Sequence, residues 1–300
     1  MIIRRDLLKV LALFAVYFAF IVFADADTVF AQEVADLRDA PHDIMGLYRD
    51  SEVEKYYRQA VAAGGKIVNL PEYGTFFVYW LPEGFSKAEE KKVLVVLHGG
   101  NANAYQHLIN FIDTADKEVF GVISVQWGEP GEEYRKFPLM RLKKWEKIYL
   151  YFEPDVVYEI IGAALEYTAL KYDVDKYLSA WSGFDRSAGQ CAVYAFYDKY
   201  TENNFFKLFI ALSGGIESGQ PMMAELAGGE YGDKPIGGKN FYLWCSGDDA
   251  DMKERMSSAK DTIEWLGGTV QELKVGSGGH AGFNKGEKSQ LEAVKLWDRL

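Results

Sequence analysis

The sequence predicts an α/β fold: a mostly parallel sheet of about eight strands with helices on both faces. Three observations carry this. Short β-branched or aromatic runs alternate with longer segments of helical period, and the later runs are separated by connections long enough for a crossover helix. The 300 residues, 49% of them apolar, are also enough for one large hydrophobic core. That size and apolar fraction exclude a disordered chain, a collagen-like repeat and a disulfide-stapled miniprotein. Acidic residues outnumber basic ones by 44 to 33, a net charge of −11, which disfavours a sustained grip on DNA, RNA or an anionic membrane face.

Residues 1–31 carry the pattern of an export signal. Arg4, Arg5 and Lys9 precede an apolar run from Val10 to Phe23, which ends near two small-residue cleavage patterns, Ala24-Asp25-Ala26 and Val29-Phe30-Ala31. A membrane anchor is the competing reading, but the run is short for a span of about 20 apolar residues and has no basic stop on its far side. Cleavage after Ala31 removes three basic and three acidic residues, so the −11 belongs to the mature chain, residues 32–300, expected as one secreted or periplasmic domain with Gln32 or Asp27 at its amino terminus.

A polar helical stretch ends near Ala63, and the strands follow at Lys66 to Leu70, Thr75 to Leu81, Val93 to Leu97, Val122 to Gln126, Tyr177 to Gly183, Leu208 to Leu212, Phe241 to Cys245 and Val270 to Val275. The first two flank the short Pro71-Glu72-Tyr73-Gly74 turn and are expected as a hairpin, the rest as parallel. Val157, Ile160, Ile161, Ala164 and Leu165 share one helical face. Further helices are expected over Ala102 to Ala115, Ser187 to Tyr197, Asp251 to Trp265 and Lys288 to Leu300. Two connections exceed what a crossover needs, Gly128 to Glu153 and Ile216 to Lys239, and either could overhang a site or simply decorate the surface.

Chemistry is expected in loops at the carboxyl ends of the parallel strands. His280, in Gly278-Gly279-His280-Ala281-Gly282 just past the last strand, suits a general base. His98-Gly99-Gly100 closes an apolar strand, and its glycines offer backbone N–H groups for an oxyanion site. His42 and His107 have no such context and are expected at the surface. After the Phe241 strand come Asp248, Asp249 and Asp251. They do not complete an EF-hand loop, so one of them is expected to orient His280, Asp249 first and Asp251 second, with another capping the next helix. Gly276-Ser277-Gly278-Gly279 lacks the further glycine and the acid of a dinucleotide fingerprint, and no GxxxxGK[ST] occurs.

The remaining candidate is the turn Ser182-Gly183-Phe184-Asp185-Arg186-Ser187-Ala188-Gly189-Gln190. A nucleophile at a strand-to-helix apex needs small residues two before and two after it. Ser182 fails because Phe184 follows it, Ser187 has Gly189 after but Asp185 before, and Asp185, between Gly183 and Ser187, fits best.

Taken in order, these motifs resemble those of the α/β-hydrolase superfamily, and within it secreted polyhydroxybutyrate-depolymerase, feruloyl-esterase and predicted-peptidase types. The likeness runs from about Tyr73 to Leu300. It rests on His98-Gly99-Gly100, Lys171-Tyr172-Asp173-Val174-Asp175, Gly183-Phe184-x-Arg186, the acidic turn after Cys245, and Gly279-His280. It implies a secreted esterase with a nucleophile, acid and histidine in that chain order, Gly99 and Gly100 at the oxyanion site with Arg186 beside them, a small or polymeric ester as substrate, and no metal or organic cofactor. The departure is at the elbow, where such proteins usually read Gly-Phe-Ser-Arg-Gly. Asp185 stands in the serine's place and Ser187 on the following glycine. Either Ser187 attacks from a shifted elbow, or Asp185 attacks as a carboxylate, as in dehalogenases and epoxide hydrolases, or the site is silent and the fold serves binding. Trp127, Tyr134, Phe137 and Trp145 could wall a substrate or pack beneath the long loop. Cys191 and Cys245 could be buried thiols or, after export, one disulfide.

Overall fold

The computed structural model describes residues 32–34, 51–100, 102–127, 153–216 and 219–300. A mixed nine-stranded sheet runs through them, β1 (Gln32–Val34), β2 (Lys66–Leu70), β3 (Thr75–Trp80), β4 (Val93–Leu97), β5 (Gly121–Val125), β6 (Ser179–Phe184), β7 (Phe206–Leu212), β8 (Asn240–Ser246) and β9 (Thr269–Gly276), in the spatial order 1-2-3-5-4-6-7-8-9. All eight expected strands are present within two residues at each end. The ninth, β1, was not anticipated; it pairs antiparallel with β2, placing Glu33 opposite Val68. β2 and β3 form the expected hairpin, β3 joins β5 antiparallel, and every pair from β5 through β4 to β9 is parallel.

Parallel strands buried on both faces require apolar residues at every position, and β4 (Val-Leu-Val-Val-Leu) is buried throughout. Its alternate side chains enter two different cores. Val93, Val95 and Leu97 pack with the helices α3 (Pro154–Tyr172), α4 (Cys191–Tyr200), α5 (Pro221–Gly228) and α6 (Ala250–Trp265) on one face. Leu94 and Val96 pack with α1 (Ser51–Ala62), α2 (Ala104–Glu118), α7 (Gly282–Lys285) and α8 (Glu287–Trp297) on the other. The stripe of α3 meets the sheet as its spacing requires, with Val157, Ile160, Ile161, Ala164 and Leu165 all buried.

Several expectations need correction. His107 is not at the surface: it lies on the face of α2 that packs against the sheet, 1% exposed. The helix expected from Ser187 begins with a 3₁₀ turn (Ala188–Gln190), and α4 starts only at Cys191. Cys191 and Cys245 are both buried and both free. Residues 1–31, His42 and the connection 128–152 with Tyr134, Phe137 and Trp145 lie outside the described residues. Among the described residues, no helix is long and apolar enough to cross a membrane.

Candidate active site

The parallel strands deliver four segments to one end of the sheet: the loop after β4, the turn after β6, and the loops after β8 and β9. In the β6 turn, Asp185 sits at the apex with φ of +54°, a left-handed conformation that non-glycine residues adopt at a cost and that clusters at functional sites. The turn is held by Asp185 N–H donating to Leu212 O (2.8 Å) and by Gly189 N–H donating to Asp185 O (3.2 Å). Small residues are required around it. A methyl on Gly183 would stand 2.9 Å from Ala188 N, and one on Gly99 would stand 3.2 Å from Asp185 Cβ.

Asp185 and Ser187 occupy different environments. The Asp185 side chain is 43% exposed, and its Oδ1 lies 3.6 Å from His280 Nε2, an ion-pair contact slightly longer than a hydrogen bond. Ser187 is fully buried. Its hydroxyl oxygen accepts from Phe184 N–H (2.8 Å), and its proton faces the carbonyls of Leu97 (2.9 Å) and Phe184 (3.0 Å).

Gly100 N–H points at Asp185 Oδ2 (3.4 Å), and Arg186 N–H also bonds to the Asp185 carboxylate. The Gly99–Gly100 peptide is fixed from its other side. His98 Nδ1 meets Gly99 O at 2.9 Å, and because that partner is a carbonyl, Nδ1 holds the proton. Trp127 Nε1–H in turn donates to His98 O (2.9 Å), so the one described member of the aromatic group lies buried beneath the His98-Gly99-Gly100 loop. Burial pushes His98 down to about 4, which keeps its ring neutral at physiological pH.

The helix cap expected from another aspartate of the acidic turn is Asp249 itself, which also faces His280. Its Oδ1 caps α6 by accepting from Met252 N–H (2.9 Å), while its Oδ2 lies 4.0 Å from His280 Nδ1. Asp251 is exposed in the first turn of α6. His280 thus stands between two carboxylates. The contact with Asp185 is the main cause that raises its pKa; burial opposes it, the charges of Asp185 and Asp249 add to it, and the cation of Arg255 counters them. Burial would raise the Asp185 carboxyl, but His280 and the N–H groups of Gly100 and Arg186 outweigh it and hold the group below the usual carboxylate range.

Three contributors escaped the sequence. Ser213, itself at φ +52°, donates its hydroxyl to His280 O (2.9 Å) and anchors the His280 loop. The Phe184 ring lies 5.1 Å from that of His280. Arg255 donates to Gly214 O (2.9 Å), beneath the apex. The run Ser213-Gly214-Gly215 at a strand's carboxyl end was the available signal for the first. Among the described residues no group of three or more His, Cys, Asp or Glu is arranged to hold a metal ion.

Sheet order, crossovers and the placement of this site define the α/β-hydrolase fold. No family profile and no curated protein matches the sequence. Solved structures match in fold. An esterase from Rhizomucor miehei shares 13% identity over 75% of this chain and 78% of its own, with a TM-score of 0.52. An esterase from Pyrobaculum calidifontis shares 15% over 82% and 90%, with a TM-score of 0.52. A fluorophosphonate-binding serine hydrolase from Staphylococcus aureus shares 13% over 74% and 92%, with a TM-score of 0.50.

Proposed function

We propose that the protein is an exported hydrolase that works through a covalent ester on Asp185. The observation that carries this is the placement of the Asp185 carboxylate at the elbow apex, between His280 and the N–H groups of Gly100 and Arg186. Attack by a carboxylate on an ester carbonyl would form an anhydride, less stable than the ester consumed. Attack on a saturated carbon forms an ester, so the substrate carries its leaving group, such as a carboxylate, halide or epoxide oxygen, on such a carbon. Asp185 Oδ1 or Oδ2 bonds to that carbon, and the leaving group departs with the bonding pair. His280 Nε2, oriented by Asp249, then takes a proton from water as the water oxygen attacks Asp185 Cγ. The oxyanion formed there rests on the two backbone N–H groups that already hold the carboxylate. Its collapse expels the alkoxide, which takes the proton back from His280 and leaves as alcohol. Asp185 is left as a carboxylic acid with one oxygen from water, and its remaining proton passes to His280 and then to solvent, which restores the carboxylate.

The esterase and serine-hydrolase names of the structural neighbours support ester chemistry in general. A serine mechanism would require Ser187 to abandon three backbone contacts and leave a fully buried position. Single-turnover reactions in heavy-oxygen water across a panel of aryl esters, alkyl halides and epoxides decide the matter. We expect the isotope in the Asp185 carboxylate, an alkyl adduct on Asp185 that accumulates in His280→Gln, and no turnover in Asp185→Asn. A serine-directed phosphonate that labels wild type but not Ser187→Ala would instead assign Ser187, and neither label nor hydrolysis would leave a binding protein. Export rests on the basic, apolar and small-residue order of residues 1–31, and amino-terminal sequencing of protein recovered outside the cytoplasm should find Gln32 or Asp27.

A further inference from the structure

A groove of about 470 Å³ lies between α5 and α6, beside the proposed active site rather than within it. Its walls differ. Ile216 and, from α5, Met223 and Ala227 give an apolar side; Asp251, Glu254 and Arg255 give α6 a charged one. The groove borders the elbow through the β7 loop: Gly214 abuts the Asp185 backbone, and Gly215 packs on Arg255. At its other border Asp251 follows the capping Asp249 by two residues.

Arg255 is the cation of this groove. One guanidinium N–H is taken by Gly214 O, and among the described residues no carboxylate lies within ion-pair distance of the rest, although Asp251 and Glu254 share the lining. A planar fork with donors to spare suits a carboxylate. The two acidic neighbours oppose any second negative charge, and the apolar wall suits an alkyl body. The volume falls within the range of small-molecule sites.

We propose that this groove binds the part of the substrate remote from the reacting carbon, and that Arg255 takes a carboxylate there, which makes the preferred substrates alkyl monoanions. The proposal rests on the hydrolase reading for the word substrate but not for the binding itself. The two are therefore tested separately.

Binding is measured first by calorimetry on the mature chain, with hexanoate and its neutral counterpart hexanamide. Hexanoate should bind at least about tenfold more tightly, the scale of one charge-assisted hydrogen-bonded pair. The preference should vanish in Arg255→Leu and partly survive in Arg255→Lys, with circular dichroism confirming that both variants are folded. Equal affinities in wild type, no binding of either ligand at millimolar concentration, or a preference that persists in Arg255→Leu overturns the proposal. Turnover is measured next as bromide release from 6-bromohexanoate and 6-bromohexanamide. The ratio of their kcat/KM values should collapse in Arg255→Leu; because Arg255 also donates to Gly214 O beneath the apex, any change in kcat is shared by both bromides, and the ratio isolates the carboxylate. Arg255-dependent hexanoate binding without any adduct on Asp185 would keep the groove as a carboxylate site and remove the hydrolase reading. Adduct formation with no preference between the two bromides would do the reverse.

Discussion

Asp185 and Ser187 stand two positions apart, and the physical difference between them is what each oxygen touches. The Ser187 hydroxyl, fully buried, ties the elbow to β4 through Leu97 O and closes the turn through Phe184 N–H. Ser187→Ala should therefore cost about 1–3 kcal/mol, the scale of leaving a buried partner unpaired, and should lower the urea midpoint while turnover at saturating substrate is kept. The buried histidines give a second expectation at this scale. Burial lowers His98 to about 4, and burial together with the nearby His98 lowers His107 to about 3. Both folded values lie below the ordinary 6.5, so between pH 6.5 and those values the unfolded chain binds protons that the folded chain refuses. Stability is full above 6.5 and is lost as pH falls, by up to about 1.4 kcal/mol per pH unit for each ring. Urea titrations at pH 7 and pH 5 should show that loss, and His107→Leu should lessen it; an unchanged slope in the variant would show that His107 is not the group involved.

At the scale of elements, the site depends on how closely loops pass one another. A methyl on Gly214 would stand 2.2 Å from Asp185 O and 2.8 Å from Gly189 N, both backbone atoms of the elbow. Gly214→Ala should displace the apex and reduce kcat on the order of a hundredfold, whereas Gly219→Ala, with open space around it, should not. Element identity was legible in the sequence wherever a run was long enough to show its period, as in β4 and α3. The three-residue β1 was not, because Gln32-Glu33-Val34 has no period of its own and its pairing with β2 is a tertiary matter. His107 was legible but misjudged: Ala104, His107, Leu108, Phe111 and Ala115 recur at helical spacing and are all buried. The division of labour in the acidic turn could not be read at all, because a carboxylate has two oxygens and Asp249 caps with one while facing His280 with the other.

At the scale of the whole molecule, the chain order of the motifs was enough to place His98, Asp185, Asp249 and His280 at one end of the sheet. A parallel sheet with crossovers puts every strand's carboxyl end on the same side. What the order could not convey is the choice between Asp185 and Ser187, which turns on burial and on the direction of a hydroxyl. Nor could it convey Arg255, whose relation to the elbow exists only through Gly214 and Gly215.

Among the described residues β9 pairs with β8 alone, and its residues are partly or fully exposed. His280, the proposed base, four residues past its end, is therefore carried by an outer strand, while Asp185, the proposed nucleophile, hangs from β6 in the middle of the sheet. Edge elements with few buried contacts open at lower free energy than central ones. The two halves of the reaction should then fail in sequence as urea rises. Alkylation, which needs Asp185, should outlast hydrolysis, which needs His280, so that at urea concentrations below the global transition the protein becomes a stoichiometric reagent that captures one substrate and keeps it. Intact mass spectrometry after such incubation should find the adduct on folded protein, and parallel loss of both steps would show that β9 does not open ahead of the rest.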